Sequence, residues 1–585
     1  MQVTEKIQKL FVASLFPVAF FLQAAKTGFL QTPLTVTAFA CCAVFIVVFV
    51  SLTSLIIKER KKVSLTRVDL LLGGCFTYRF IYGFAGSGND YFSSRLIGEL
   101  AICFVYLLIR IKKDFNGPVI WSCLLVGFAE SVLALLQAMH LARGNNEFFN
   151  ITGTFGNPGQ LGGFIAVQLF LVGYQIGFCR KRFPRGAMIF LYLLALLLGA
   201  VLLLSQSRAS WLAVFVAGFY MLILKIRNTK FNLRPLVNRS SRILAACLIV
   251  VLFVLLYHYK KDSADGRLLI WRVTLEMIAG HPVSGSGPGT FPAQYFAYQA
   301  DYFVQNPDSR FLLLADNPSY AFNEYLQVTA ELGIVDLAIL LLVIIAVFKA
   351  KGQSAEDIFL KASFLSYCFF AFFSYPSGVF MLSAVSAVLL ALLSSPVVFR
   401  FTFPRKLQGM LLLLCIPLFI YFLRCNQLLR KTNAQMNALY SGDAMRKANA
   451  QRFIASNYPA LKNEKVFLFP YALYFSNSLN CEERLRVLED AAQRIPSVDI
   501  LCELGKQYQE LRRYKDAESC FMETSHAVPA RILPNYNLFQ LYRQQGDTLA
   551  AEKMAKKILQ QPLKVENTIT VKVKAAARVF LEKLK

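Results

Sequence analysis

The sequence predicts an all-α protein, a polytopic transmembrane helix bundle of about 13 spans followed by a C-terminal α-solenoid. Three observations predict it. Of 585 residues, 56% are hydrophobic and 17% charged, with a mean hydropathy of +0.48, which is too apolar for a soluble chain and too long for one domain. Apolar runs near the roughly 20 residues that cross a bilayer recur through residues 1–425. From about 426 the chain turns polar and helical, and within it residues 498–562 repeat at a spacing of 34 residues.

The candidate spans are 10–27, 34–57, 68–86, 94–110, 118–140, 161–179, 187–204, 210–225, 243–258, 333–349, 358–374, 378–398 and 408–424. The first has no small-residue cleavage site and is expected to remain as a span. Lys plus Arg exceed Asp plus Glu by 62 − 35 = 27. This excess lies in short clusters between apolar runs, not on one soluble face, so it is topogenic and no nucleic-acid partner is expected. Alternate loops carry it: Lys58 to Lys62, Arg110 to Lys113, Arg180 to Arg185, Lys225 to Arg242, Lys349 to Lys351 and Arg400 to Lys406. These face the cytoplasm, so the complementary loops 87–93, 141–160, 205–209, 259–332 and 374–377 face outward. An odd span count then puts 426–585 outside, in the periplasm of a bacterium whose inner membrane holds the bundle.

The repeat pairs Leu504 with Leu538, Tyr508 with Tyr542, and Ala517 with Ala551. With Gly505, Phe521 and Pro529 at their offsets, 498–562 resembles tetratricopeptide repeats, in which small Ala lets paired helices approach and Pro ends the second. Two readings stand: a concave surface that docks a periplasmic protein partner, or a scaffold packed on the membrane domain.

Three outward features carry polar groups where lipid is expected. Ser205-Gln206-Ser207-Arg208 interrupts two apolar runs and puts an Arg at the outer boundary, where it needs a counter-charge or an anion. The long outer loop 259–332 holds Arg267 and Arg272 on a helix-like stretch, then His281-Pro282 and a Gly-rich turn, Gly285-Ser286-Gly287-Pro288-Gly289, whose N–H groups suit an oxyanion. Asn323, Gln327 and Glu331 then fall on one helix face entering the bilayer, beside Tyr320 and Glu324.

At these residues the chain resembles the superfamily of O-antigen ligases, O-antigen polymerases and bacterial O-oligosaccharyltransferases. The resemblance covers about 60–400 and rests on four blocks: Gly153-Thr154-Phe155-Gly156-Asn157-Pro158; Ser207-Arg208; Arg267…Trp271…His281-Pro282…Gly285…Gly287…Phe291; and Asn323-Glu324-Tyr325-Leu326…Glu331-Leu332-Gly333. It implies glycan transfer from an undecaprenyl-diphosphate-linked donor to an acceptor hydroxyl at the outer face, without nucleotide sugar, metal or other cofactor. The acceptor is a lipid A core, another lipid-linked glycan (polymerase), or Ser/Thr of an exported protein. By resemblance Arg208 and Arg267 bind the diphosphate, with Arg272 as a further ligand and Asn157, Tyr320, Asn323 and Glu331 lining the substrate site. Many members carry a His just before the Asn of the last block; here it is Phe322, which leaves His281, Glu324, Tyr320 and Asp316 as candidate bases. A transporter of lipid-linked glycan is the competing class, and it predicts charged groups deep in the spans.

Overall fold

The computed structural model describes residues 2–25, 30–56, 62–86, 94–179, 184–228, 257–350, 355–394, 397–402, 404–440, 443–476 and 479–584, with the single positions 243, 247 and 254. Most of the basic loops Lys58 to Lys62, Arg180 to Arg185 and Lys225 to Arg242, the loop 87–93 and nearly all of the candidate span 243–258 lie outside the described residues.

The described chain is built of helices with one small strand pair. The membrane half runs α1 (Gln2–Ala24), α2 (Gln31–Ile56), β1 (Lys62–Thr66), α3 (Arg67–Gly86), α4 (Ser94–Ile111), α5 (Asn116–Ala138), α6 (Pro158–Cys179), α7 (Arg185–Leu204), α8 (Arg208–Asn228), α9 (Lys261–Gly280), α10 (Phe291–Gln305), α11 (Glu324–Lys349), α12 (Ala355–Phe372), α13 (Phe380–Leu393), β2 (Val397–Thr402) and α14 (Arg405–Ala438). Among the described residues, seven helices are long and apolar enough to cross a membrane: α1, α2, α5, α6, α7, α11 and α14; α8 and α13 are shorter apolar helices. The other candidate spans, 68–86, 94–110 and 358–374, fall on helices α3, α4 and α12.

One expectation is corrected at the end of the span 378–398. Its helix ends at Leu393, and Val397 and Val398 begin a strand that pairs antiparallel with β1, Lys62 opposite Thr402. β-branched and aromatic residues alternate with polar ones there, which fits a two-stranded ladder. Beside that ladder Arg110 grips Asp69 at 2.7 Å, tying the start of α3 to the end of α4.

Inside the bundle α2 packs on α1, α4 and α14; α12 packs between α6 and α8; and α3 lies along α11. Beyond α14 the chain continues through α15 (Ala444–Leu461), α16 (Lys465–Pro470), α17 (Cys481–Arg494), α18 (Val498–Glu510), α19 (Tyr514–Ala527), α20 (Ile532–Gln545), α21 (Thr548–Gln560) and α22 (Thr568–Leu584). Here the 34-residue spacing becomes two helix pairs, α18 on α19 and α20 on α21. Ala517 and Ala551 are fully buried. Equivalent tyrosines make equivalent bonds: Tyr508 donates to Glu489 at 2.8 Å and Tyr542 to Glu518 at 2.5 Å. These helices are docked on the membrane half: α19 packs on α10, and the buried Gln299 amide donates to the Ala527 carbonyl at 2.8 Å.

Candidate functional site

The start of α11 organises one end of the bundle. Asn323 caps the helix, its side-chain oxygen accepting from the N–H groups of Tyr325 and Leu326 at 3.0 and 3.2 Å. One turn on, Gln327 accepts from the Ala321 N–H at 2.7 Å and donates to Glu331 at 2.8 Å, so the expected polar face exists and is buried. Two turns along, the helix breaks at Gly333, whose φ of 73° is open to glycine. A Cβ there would lie 1.9 Å from the Val283 carbonyl oxygen. The Gly-rich turn uses this break to dock by backbone pairing: Ser286 N–H to Ala330, Gly287 N–H to Glu331 and Ile334 N–H to Pro282, at 2.9, 2.9 and 3.0 Å.

That docking settles what the turn's N–H groups bind. Gly289 N–H donates to the Glu331 carboxylate at 2.8 Å, and Arg95 binds the same oxygen at 2.9 Å. Glu331 is thus an internal anion holding the loop, and it is shielded from solvent at 2% exposure. Arg79 and Asp336 form a second pair beside it, the guanidinium reaching the fully buried carboxylate at 2.8 Å. The C-terminal helices join this network: Lys465 donates to the Gly289 carbonyl at 2.7 Å, and Glu464 accepts from the Ser94 N–H at the start of α4 at 3.2 Å. Burial, reinforced by the Arg95 and Arg494 charges, pulls the Lys465 amine down to about 8.

Arg208 and Arg267 occupy different surroundings. Asn157 caps α6 ahead of Pro158, its oxygen accepting from Gln160 N–H at 3.0 Å. That leaves its amide nitrogen facing the Tyr375 hydroxyl at 2.8 Å, joined by Gln160 at 3.1 Å. Glu130 and Gln137 of α5 hold the preceding turn, Gln137 accepting from Thr152 and Gly153 N–H and Glu130 from Thr154 N–H, at 2.9, 2.8 and 2.9 Å. The Tyr375 ring stacks on Tyr320 at 4.2 Å and meets the edge of Phe322 at 5.1 Å. Phe322 in turn lies under the Arg267 guanidinium at 5.5 Å. The Phe322 φ of 52° is unfavourable for a bulky side chain; such strain costs about 1–3 kcal/mol and is held by the surrounding bonds. Trp271, one turn after Arg267 on α9, packs on Phe372 and Phe373 at 5.9 and 6.1 Å and fixes that face.

Burial, with the Arg208 charge nearby, pulls the Arg267 guanidinium down to about 10, so it stays a cation at neutral pH. No carboxylate pairs with Arg267 among the described residues. Arg208, first residue of α8, reaches the Tyr257 carbonyl at 3.5 Å.

The remaining residues singled out in the sequence stand apart from this cluster. Arg272 comes five residues after Arg267, hence about 140° around the helix, and lies exposed over the Tyr302 ring at 5.2 Å, near Glu276 at 4.0 Å. His281 ends α9 with its side chain exposed. Glu324 is buried and accepts from both the backbone and the hydroxyl of Ser377, anchoring the turn that carries Tyr375. Tyr320 is drawn into the cluster, and burial pushes its hydroxyl up to about 12. Arg95, Gln160, Tyr375 and Lys465 were not legible in advance: Tyr375 sits in a four-residue turn between spans, Gln160 follows the Asn157-Pro158 block without belonging to it, and Arg95 and Lys465 lie far in sequence from the four blocks.

A cavity of about 1980 Å³ lies beside the site. Tyr320, Glu324, Glu331 and Arg95 line it, as do Lys465, Arg494 and Arg531 of the C-terminal helices, whereas Arg208, Arg267 and Tyr375 do not. Its inner walls are apolar, with Leu72, Phe76, Ile102, Phe104, Leu340 and Ile344.

Residues 193–341 match the family model described as O-Antigen ligase (Wzy_C). The match runs from within α7 to within α11 and includes Arg208, Arg267, Arg272, His281, Tyr320, Asn323, Glu324 and Glu331. No curated protein matches the chain. Residues 193–341 of this multi-helix membrane protein, which hold Arg208 and Arg267, are thus similar to the O-antigen ligase family, whose members are glycosyltransferase-type enzymes.

Proposed function

We propose that the chain transfers a glycan from an undecaprenyl-diphosphate-linked donor to an acceptor hydroxyl at the periplasmic face of the bacterial inner membrane. One observation carries this reading: Arg208 and Arg267 lie near one another, and Arg267 has no carboxylate partner among the described residues, while the neighbouring Arg79 and Arg95 are neutralised by Asp336 and Glu331. A desolvated cation of that kind is costly unless an anion arrives. A diphosphate supplies one, and planar guanidinium forks match its oxygens.

In the transfer, the bond between the sugar's anomeric carbon and the diphosphate oxygen breaks, and the electron pair leaves with the diphosphate. The acceptor oxygen forms the new bond and sheds its proton. Arg267 and Arg208 stabilise the charge developing on the leaving group, which is the largest contribution a preorganised dry site makes. With Phe322 at the place of the family's His, with His281 exposed and Glu324 held by Ser377, stabilising the leaving group carries the rate. The cations come from side chains, so the reaction draws on no metal.

The cavity's apolar inner walls and polar outer mouth suit an amphiphile, and favour a lipid-borne acceptor, lipid A core or a second lipid-linked glycan, over a protein hydroxyl. In the same reading about thirteen spans set Arg208 and Arg267 at the outer boundary, and 426–585 is a periplasmic tetratricopeptide-like domain. Its contacts through Lys465, Glu464 and Gln299 favour the scaffold role over a free docking surface.

The test is deletion of the gene in its host, with surface polysaccharide, lipid-linked glycan and glycoproteins compared after complementation by wild type or Arg267→Ala. Loss of one glycoconjugate, build-up of its lipid-linked precursor outside the membrane, and rescue by wild type alone are expected. A precursor trapped on the cytoplasmic face, or full rescue by Arg267→Ala, would put a transporter in place of the transferase.

A further inference from the structure

We propose that the Tyr375 hydroxyl is a substrate-contacting donor, giving a hydrogen bond to an oxygen of the diphosphate held by Arg267. This rests on the diphosphate reading above. The argument is one of hydrogen-bond accounting. Gln160 N–H fills the Asn157 side-chain oxygen, and Gly156 N–H fills the Gln160 side-chain oxygen at 3.0 Å each. Both amides therefore present NH2 groups, and both aim them at the Tyr375 oxygen, at 2.8 and 3.1 Å. A phenol oxygen has two acceptor sites and one proton. With both acceptor sites used, the proton must be given outward, and no acceptor for it exists among the described residues.

The direction left to it is toward an anion. Arg267 is close enough to act on Tyr375 electrostatically, and the two share Phe322 as a common wall. Two donors into the phenol oxygen polarise the O–H bond and make it a better donor. Burial nevertheless holds the hydroxyl above the usual phenol range, so the proton is present at neutral pH. The ring is fixed between Tyr320 and Phe322, and the Glu324 grip on Ser377 fixes the turn. Tyr375 keeps its proton throughout; it stabilises the leaving oxygens and takes no part in bond making. It also occupies the space next to Phe322, so a neutral hydroxyl stands where the family's imidazole would be a neighbour.

The test uses the full-length protein in lipid nanodiscs with the lipid-linked glycan and acceptor membranes extracted from the deletion host. Tyr375→Phe preserves the stacked ring and is expected to slow transfer about 10–100-fold, the size of one hydrogen bond to a charged group. A fluorinated tyrosine placed at 375, a stronger acid than tyrosine, separates donation from scaffolding. Donation to substrate is lost when the phenol ionises, so the alkaline limb of the rate profile moves to lower pH. A purely structural hydroxyl would leave the limb where it is, since a phenolate accepts from Asn157 and Gln160 at least as well. An unmoved alkaline limb, or full activity of Tyr375→Phe while Arg267→Ala is inactive, overturns the Tyr375 role alone. Full activity of Arg267→Ala, or no transfer by wild type, overturns the diphosphate reading and this role with it.

Discussion

Two pairs of arginines lie at one end of the bundle, and they differ in how their charge is met. Arg79 and Arg95 sit against Asp336 and Glu331 at 2.8 and 2.9 Å, and Glu331 also takes the Gly289 N–H. That side is a closed electrostatic unit that holds the Gly-rich turn to the break in α11. Arg208 reaches a backbone carbonyl, and Arg267 lies over an aromatic face with no carboxylate paired to it among the described residues. A buried ion pair contributes little net stability but is costly to break, whereas a desolvated cation without a carboxylate is costly until an anion reaches it. The contrast teaches that composition alone does not tell a paired arginine from one with no acid within reach; the fold does.

The largest effect should come from Arg267. Arg267→Ala is expected to lower transfer roughly 10²–10³-fold, the size seen when one preorganised charge-stabilising donor is lost, with expression and membrane insertion unchanged. Arg267→Lys should recover little, because an ammonium does not reproduce the planar fork. Transfer rates measured in nanodiscs decide this, and a fully active Arg267→Lys would reduce the site to a point charge.

The paired side should fail in stability before activity. Asp336→Ala leaves Arg79 without its partner and is expected to cost about 3 kcal/mol or more, read as a lower melting temperature in detergent. The double variant Arg79→Leu with Asp336→Leu should recover most of that loss. If it does not, the pair has a role beyond cancelling its own charge.

Lys465→Met tests the tie between the C-terminal helices and the Gly-rich turn, and about 1 kcal/mol is expected for one hydrogen bond, seen as faster hydrogen exchange at 282–290. The pH dependence has a definite sign. Folded Lys465 loses its proton near 8, while the unfolded chain keeps it up to about 10.5. The unfolded state therefore binds more protons in that window, and stability from this group rises with pH across it. Lys465→Met should remove that rise.

Arg272→Ala should change transfer by less than about 2-fold, since an exposed i,i+4 contact at 4.0 Å contributes little. A loss matching that of Arg267→Ala would break the comparison, because it would give an arginine on another face of α9 the same role.

Membrane character, most helix positions, the 34-residue period and the polar face at Asn323, Gln327 and Glu331 were determined by the sequence itself, because each depends on periodicity within one element. The ligase-like blocks around Arg208 and Arg267 were legible for a related reason: each is a short contiguous motif. Tertiary structure alone decided which charges cancel. Arg95 meets Glu331 across 236 positions and Arg79 meets Asp336 across 257, and no local pattern encodes such pairings. It also decided that the Gly-rich turn binds Glu331 and that Tyr375 takes its two amides from a turn more than 200 positions earlier. A hydrogen bond is set by distances of about 3 Å between atoms, and only the folded chain brings those atoms together.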